Sequence, residues 1–589
     1  MKPLTKNTQS QHEDKEDAAV HANTRLHHGL RPGVEWFIVP VLALIALIPR
    51  IILARQLDLV TDEIIYIMGG KGYLPLVLHH DFTSVGWEFN YEHPPVVKLL
   101  IGLSIYLNTQ FGHRLSELFV ARIPSILSGT VLIIAIYWLG RKPFGRVVAL
   151  LAALALAVSP WLVYFSALAY LDMTMTMLIT LAYLVLWYAI RQPRFYLLSA
   201  ALVGLGAASK YTAALAIPGM ILFTFYYFVA IRPRIPREQR SSVPWGWWIG
   251  ALLLIPVVFF IADPAIWRNP YYLLIHSILF EWDHSINGHL TFIAGQYSGH
   301  VPRWAVLYIL LAKLSIFITF PAIFFALFAI VQLVLFHLHK SKLQVAEITS
   351  IAFLFIWLVS IVGMFSLLNI VVGTHYHLPL APAVALAGAL GLATLLRYRR
   401  GALLQPSSST VNTNVELPAQ ASPTKPGKIR LNGRAAIICT ALTLLLVGPH
   451  LIGLSTNYAA EGYTSELFQS ENSVLQVAYP GYREAGLWLI AHTHSSGTVG
   501  LVALAGTLNH GDYASSWFGY NRALEGRLKF SEAHPDASNS SYNYLVWPMH
   551  LVQRGYVIPQ AWHAHIVHIV MGGNTVYCYI LASNPATII

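Results

Sequence analysis

The sequence predicts a polytopic bundle of transmembrane α-helices followed by a small extracytoplasmic α/β domain. Of the 589 residues, 56% are hydrophobic and only 11% are charged, whereas soluble globular domains carry about 25% charged residues. Apolar runs of about 20 residues, the length that spans a bilayer, recur between Trp36 and Ile452. We therefore expect lipid to be the main solvent of this chain.

Hydropathy predicts about eleven spans. They lie near residues 35–54, 119–139, 147–164, 173–190, 195–209, 212–231, 244–262, 304–336, 346–368, 378–396 and 435–454. The apolar segment Val96–Leu107 is too short to span comfortably, so we expect it to lie along the interface as an amphipathic helix.

The net charge of +11 follows membrane topology and does not indicate nucleic-acid binding. With the N-terminus inside, 23 of the 38 Lys and Arg residues fall in short cytoplasmic segments, as the positive-inside rule requires. The outward loop Arg55–Glu92 instead holds six acidic residues against two basic ones. We expect a multi-pass plasma-membrane protein without a cleaved signal. An odd number of spans places its C-terminus outside.

Composition divides the chain into five parts. They are a disordered cytoplasmic tail (1–33), a transmembrane domain (34–400), a cytoplasmic linker rich in Ser, Thr and Pro (401–434), the last span (435–454) and an extracytoplasmic domain (455–589). In the last part, four β-like runs accompany the helix-like "GYREAGLWLIAHT". This alternation predicts a small α/β domain.

Acidic and basic residues flank the first outward loop. The run "TDEIIY" places Asp62 and Glu63 side by side, and adjacent carboxylates can raise each other's pKa, which suits a general base; the alternative is a solvated turn. The run "YEHPPVVK" presents Glu92, His93 and Lys98 around two prolines. The His and Lys are suited to phosphate at a helix N-terminus, although Lys98 could equally extend to the lipid headgroups.

Other polar residues share this predicted outer side. Asp172, beside Tyr170 at the head of the fourth span, is interpreted either as a functional membrane carboxylate or as a helix cap. The remaining candidates are Arg122, Lys210, Tyr211, Trp267, His375, Tyr376 and His377. A cationic cluster there would stabilise a phosphate whose charge grows as it leaves. Each residue alone is otherwise an interfacial anchor.

A metal site is not predicted. His284 and His289 lie near two acidic residues, but their spacing matches no zinc signature such as H-E-x-x-H. The two cysteines, Cys439 and Cys578, are placed for neither a disulfide nor a cysteine metal site. We expect no required cofactor.

Taken in order, these segments resemble the GT-C superfamily of membrane glycosyltransferases, specifically the protein O-mannosyltransferases and the aminoarabinose transferases of lipid A. The resemblance covers about residues 35–400. It is carried by "DE", "EHPPVVK", "ARIPSILSG", "LD", "GLGAASKYTA" and "HYHLPLAP". It implies that Asp62 is the catalytic base and that His93 and Lys98 lie near the donor phosphate or the acceptor. It also implies that Asp172 shapes the same cavity.

The resemblance further implies that mannose or a related hexose or pentose moves from a polyprenyl-phosphate donor to a protein, lipid or glycan acceptor, with inversion. We expect the donor phosphate to face Arg122, Lys210 or His375. The loop from Asp263 to Arg303 is too short for the luminal MIR domain of eukaryotic mannosyltransferases, which favours bacterial or archaeal envelope glycosylation.

Two other classes remain open. A transporter or flippase commonly shows paired repeats and broken helices near the membrane midplane, whereas the polar residues here cluster at the outer side. An envelope binding or scaffold protein would work through residues 455–589, and changes at Asp62 would be silent.

Overall fold

A computed structural model of the chain describes residues 32–287, 291–367, 373–401, 433–493, 496–503, 528–536, 541–563 and 565–588. The predicted cytoplasmic tail up to residue 31, linker residues 402–432, His289 and the side chain of His284 lie outside the described part.

The described chain is mainly helical and confirms the predicted fold class. The helices of its first half are α1 (Pro32–Gln56), α2 (Thr61–Leu78), α3 (Val96–Gln110), α4 (Glu117–Phe144), α5 (Arg146–Ala157), α6 (Pro160–Ser166), α7 (Asp172–Ala189), α8 (Phe195–Ala207), α9 (Ile217–Tyr226) and α10 (Trp245–Ala262). Those that follow are α11 (Pro270–Asn287), α12 (Ala305–Lys313), α13 (Ile316–His337), α14 (Val345–Phe365), α15 (Ala381–Gly401) and α16 (Gly433–Thr456).

Eight helical segments of the described chain are long and apolar enough to cross a membrane. They correspond to α1, α4, α7, α9, α10, α13, α14 and α15. The pair α5 and α6, bent by 62°, makes a ninth if it is counted as one span. The two remaining predicted spans correspond to the shorter apolar helices α8 and Thr440–Thr456. The predicted span 304–336 is divided into α12 and α13, because Leu314 is extended and Ser315 caps α13.

Helices α2 and α3 pack backbone to backbone and carry the first outward loop. A Cβ atom on Gly70 would lie 2.5 Å from the Lys98 carbonyl oxygen and 2.8 Å from the Gly102 nitrogen. Only glycine fits such an approach. One face of α3, which includes Val97, Lys98 and Ile101, is buried against the protein. The close contact fixes the middle of α2 against the start of α3.

The C-terminal region forms the predicted α/β unit. Its elements are α17 (Tyr482–His492), β3 (Gly497–Val502), β4 (Leu528–Ala533), β5 (Tyr544–Pro548), α18 (Met549–Gln553), α19 (Gln560–His563), β6 (Ile566–Gly572) and β7 (Thr575–Ala582). The strand order is β4-β3-β5-β7-β6, with β3 parallel to both neighbours and β7 antiparallel to both of its own. A separate hairpin of β1 (Thr291–Ile293) and β2 (Gln296–Ser298) lies between α11 and α12.

This C-terminal unit packs against loops at one end of the helical bundle. The Lys313 ammonium, at the end of α12, pairs with the Glu471 carboxylate at 2.6 Å, and both side chains are buried. Lys313 also donates to the Glu461 carbonyl at 2.7 Å. The hairpin adds a backbone bond from the Ala294 nitrogen to the Val474 carbonyl at 2.8 Å. The unit is therefore joined to the bundle by buried charge as well as by backbone.

Candidate active site

Glu63 and Arg122 form a fully buried, two-pronged ion pair between α2 and α4. Arg122 Nε lies 2.8 Å from Glu63 Oε1, and Arg122 Nη2 lies 2.6 Å from Oε2. The backbone nitrogens of Val60 and Ala169 also donate to this carboxylate at 2.9 and 2.7 Å. The remaining guanidinium protons reach backbone carbonyls of residues 54, 57 and 58 at 2.7–2.8 Å.

This geometry corrects two expectations. All five guanidinium N–H donors of Arg122 have protein acceptors. Arg122 would therefore have to break its pair with Glu63 in order to bind the donor phosphate. Glu63 accepts four hydrogen bonds in the protein interior and has no access to a substrate proton. Both residues instead fix the chain that leads into α2, where Asp62 lies.

Asp62 differs from its neighbour because its carboxylate is only half-buried in the first turn of α2. The Tyr170 hydroxyl donates to Asp62 Oδ2 at 3.3 Å, and no other described residue donates to this carboxylate. Burial raises the pKa of Asp62, and the charge of Asp172 raises it further. The Tyr170 hydrogen bond and the charges of Lys210 and His93 oppose this rise in pKa.

The raised pKa of Asp62 therefore has a different cause from the one predicted. Its largest source is burial, and the like charge that adds to it is that of Asp172 rather than Glu63. Glu63 is neutralised by its partner Arg122. The outcome, a carboxylate with increased basicity, is the one that suits a general base.

A second buried pair lies within electrostatic reach of Asp62. Lys210 Nζ contacts Asp172 Oδ1 at 2.7 Å, and both side chains are almost completely buried. Asp172 Oδ2 has no hydrogen-bond partner among the described residues. The Lys210 ammonium also lies 3.8 Å above the centre of the Tyr376 ring. A cation is thus held at the site with one carboxylate oxygen left unsatisfied.

The segment Thr374–Leu380, a 3-10 helix before α15, closes this side of the site. The His375 ring contacts the Tyr170 ring edge-on, with 5.4 Å between centroids, and lies beside the Tyr376 ring at 4.4 Å. His377 is fully buried, and neither of its ring nitrogens has a described partner. The "HYH" motif therefore supplies walls to the site, with His375 and Tyr376 nearest to its polar groups.

Lys98 supports the turn that carries His93. Its ammonium donates to the carbonyls of Asn90 at 2.6 Å and His93 at 2.7 Å, and the side chain is fully buried. The alternative in which Lys98 extends to lipid headgroups is therefore wrong. Burial lowers the pKa of Lys98 to about 7, and the charges of Glu92 and Asp263 oppose that change. Glu92 itself accepts from the Asn90 amide.

Two predicted residues lie away from Asp62. Trp267 donates from its indole to the Phe260 carbonyl at 2.6 Å and packs on Phe82, with 4.8 Å between ring centroids. Tyr211 lines a crevice that also includes His93 and Asp263. Both residues shape the rim of the site rather than the surroundings of the Asp62 carboxylate.

The structure adds four residues that sequence reasoning did not place in this site. Tyr66 lies between His93 and Tyr170, with ring centroids 5.9 and 5.8 Å away. Glu281 Oε1 is 3.2 Å from His93 Nδ1. Asp263 is buried beside Lys98, and Arg268 pairs with Glu88 at the rim. Tyr66 is one helical turn beyond Asp62, a spacing that could have revealed it; the other three depend on tertiary packing.

Among the described residues, no group of three or more His, Cys, Asp or Glu side chains is placed to hold a metal ion. The candidate pair His284 and His289 lies outside what the structure describes, so the prediction about that pair stays a prediction.

Comparison with known proteins gives a match to one protein family over part of the chain. Residues 92–261 match the family described as dolichyl-phosphate-mannose-protein mannosyltransferase. The predicted resemblance to the GT-C glycosyltransferases is confirmed. The prediction that the chain is a glycosyltransferase is confirmed with it. The matched part of the chain includes Lys98, Asp172 and Lys210, whereas Asp62 precedes it. No curated protein sequence matches the chain.

Solved structures of two kinds resemble this chain at low sequence identity. ArnT from Cupriavidus metallidurans bound to undecaprenyl phosphate is 14% identical over 95% of this chain and 99% of that one, with a TM-score of 0.42. Its apo form is 15% identical over the same shares, with a TM-score of 0.45. The oligosaccharyltransferase of Archaeoglobus fulgidus, in complex with Zn and sulfate, is 12% identical over 88% of this chain and 69% of that one, with a TM-score of 0.42.

Proposed function

We propose that this protein transfers a sugar from a polyprenyl-phosphate carrier to an acceptor hydroxyl at the outer face of the membrane, with Asp62 as the general base. One observation carries the proposal: the half-buried Asp62 carboxylate, with Tyr170 as its single described donor, lies within electrostatic reach of the Lys210 cation. The description of the matched family names a lipid-phosphate sugar, which supports the donor class.

The reaction follows from this arrangement. The acceptor oxygen attacks the anomeric carbon while its proton passes to Asp62. The bond from that carbon to the phosphate oxygen breaks, and its electron pair leaves with the polyprenyl phosphate. The leaving group is a stable anion, so no general acid is required. Lys210 and His93 would stabilise the charge that develops on it. A single displacement inverts the anomeric centre, and this route requires no cofactor.

The donor sugar is proposed to be mannose or a related hexose or pentose, and the acceptor a protein, lipid or glycan of the cell envelope. The test is to incubate the purified protein with a panel of polyprenyl-phosphate sugars and candidate acceptors. We expect one donor to be consumed and the product to carry the inverted anomeric configuration by NMR. Consumption of no donor, or retained configuration, would contradict the mechanism.

Lys210 is predicted to contribute to both stability and turnover. Lys210→Met leaves the Asp172 carboxylate buried without its partner, so we expect a loss of about 3–5 kcal/mol in the free energy of unfolding. The double variant Lys210→Met/Asp172→Asn removes the stranded charge and should recover most thermal stability. Turnover should stay at least 10-fold below that of the parent, because the cation facing the phosphate is still missing. Recovery of turnover together with stability would show a purely structural role.

Tyr170 is predicted to tune the base. The Tyr170 hydrogen bond favours ionised Asp62, so Tyr170→Phe raises the pKa of Asp62 further. Activity needs the ionised form and falls as pH drops through this pKa, so the acid limb should move to higher pH. A bond to a charged group contributes about 1.5 kcal/mol, which corresponds to about one pH unit. The measurement is the pH profile of kcat/KM.

The matched control is Tyr164→Phe. Tyr164 is also buried, and its hydroxyl has no hydrogen-bond partner among the described residues. Its profile should not move. An unchanged acid limb in Tyr170→Phe would remove Asp62 as the group that the profile reports.

A further inference from the structure

A second cavity lies further along the bundle from Asp62, toward the other end of the helices. It has a volume of about 250 Å³ and lies between α7, α8, α9 and α10. Its lining includes Leu186, Tyr196, Ala200, Met220, Phe225 and Trp248. Leu186 is fourteen residues along α7 from Asp172, a rise of about 21 Å. The proposed transfer reaction does not use this cavity.

The cavity faces the membrane rather than the protein core. No residue of α10, which forms one wall, is buried. On the facing helix α9, Ile221 is 52% and Phe225 62% exposed. Apart from a few hydroxyl and ring nitrogen atoms, the lining is apolar. A crevice of this kind, open to hydrocarbon, is filled by an alkyl chain of a lipid.

Two basic residues lie just beyond the ends of two helices that line the cavity. Arg191 comes five residues after Leu186, and Arg232 comes seven residues after Phe225. Both guanidinium groups lie within electrostatic reach of the Tyr227 hydroxyl, which places the two arginines in the same region of the bundle. Neither forms an ion pair with a carboxylate of the described residues. Arg232 donates its Nε proton to the Ser241 carbonyl at 2.7 Å, which leaves its terminal nitrogens for another acceptor.

Tryptophans complete the headgroup level of this end. Trp245 and Trp247, at the start of α10, are 65% and 41% exposed. Exposed tryptophans concentrate where lipid headgroups meet the hydrocarbon. Along the bundle, the apolar cavity is thus followed by two arginines and exposed indoles. An acyl chain followed by a phosphate headgroup has the matching arrangement.

We propose that this cavity binds one acyl chain of an anionic phospholipid, whose headgroup contacts Arg191 and Arg232. The positive charge decides between an anionic and a zwitterionic lipid, because two unpaired guanidinium groups favour net negative charge. The donor carrier is not the expected occupant. Its phosphate belongs near Lys210, and α7 alone separates the two ends by about 27 Å.

The proposal is tested with the full-length protein, delipidated in detergent and titrated with dioleoyl phosphatidylglycerol or dioleoyl phosphatidylcholine. Native mass spectrometry measures the bound lipid. We expect one phosphatidylglycerol per chain, bound at least 10-fold more tightly than phosphatidylcholine. Arg191→Gln/Arg232→Gln should abolish this preference, whereas Arg237→Gln, an exposed arginine of the same loop, should keep it.

A second variant tests the cavity itself. Ala200→Phe places a ring where the acyl chain would lie and should weaken the binding of both lipids. Equal affinity for the two lipids in the parent protein would overturn the assignment of the headgroup. Displacement of the bound lipid by an equimolar polyprenyl phosphate would overturn the assignment of the occupant and identify a carrier tail instead. The binding readout does not depend on transferase activity. Failure of this proposal can therefore be distinguished from failure of the proposed reaction.

Discussion

Asp62→Asn is expected to lower turnover with a polyprenyl-phosphate sugar by about 10²–10⁴-fold, the usual contribution of a general base. The amide keeps the shape of the side chain and still accepts the Tyr170 hydrogen bond. It cannot take a proton from the acceptor hydroxyl. Binding of the donor should change little, because the cation of Lys210 remains in place. Single-turnover rates and donor binding, measured separately, distinguish these effects.

The control for this variant is Asp81→Asn in the same outward segment. Asp81 is exposed, and its carboxylate accepts only from Thr83 among the described residues. This change should leave turnover and melting temperature as in the parent. Full activity of Asp62→Asn would remove Asp62 from the mechanism.

Arg122→Met should cause the largest loss of stability. It leaves the Glu63 carboxylate buried and unpaired, which costs about 3–5 kcal/mol, and it also removes the donors to three backbone carbonyls. We expect a lower melting temperature in detergent and poor recovery of folded protein. Glu63→Gln/Arg122→Met should restore only part of the loss, because those carbonyls stay unsatisfied.

Arg55→Met serves as the matched control, since Arg55 is exposed and its guanidinium lies 5.0 Å from the centre of the Phe119 ring. Its free energy of unfolding should stay within about 0.5 kcal/mol of that of the parent, as is usual for surface substitutions. If Arg122→Met folds normally but loses donor binding, Arg122 contacts the phosphate after all and our structural role for it is wrong.

The sequence predicted the helical bundle well because hydropathy is a local property that the bilayer enforces on each span. It also predicted that Asp62, Asp172 and Lys210 share a side, since topology alone places span ends inside or outside. The division of the span near Ser315 was not predicted, because the apolar run continues across it and only the backbone conformation breaks.

The partners of individual charges could not be predicted in the same way. Glu63 and Asp62 are adjacent in sequence, but one side chain points to Arg122 and the other to Tyr170. The choice depends on how α2 starts relative to α4, which no local pattern encodes. Strand β4 was missed for a related reason: all four positions between its ends are exposed or only partly buried, so it lacks the apolar run that marked the other strands.

The buried contact of Lys313 with Glu471 limits how the C-terminal unit can be studied. A chain cut after α16 would leave an ammonium group without its counter-ion in an apolar interior, and the backbone at Ala294 and Ala312 would lose hydrogen-bond partners. Inactivity of such a truncated protein would then report collapse of the outward loops rather than a missing activity. Point changes on the outer surface of the sheet are the informative way to ask what that unit recognises.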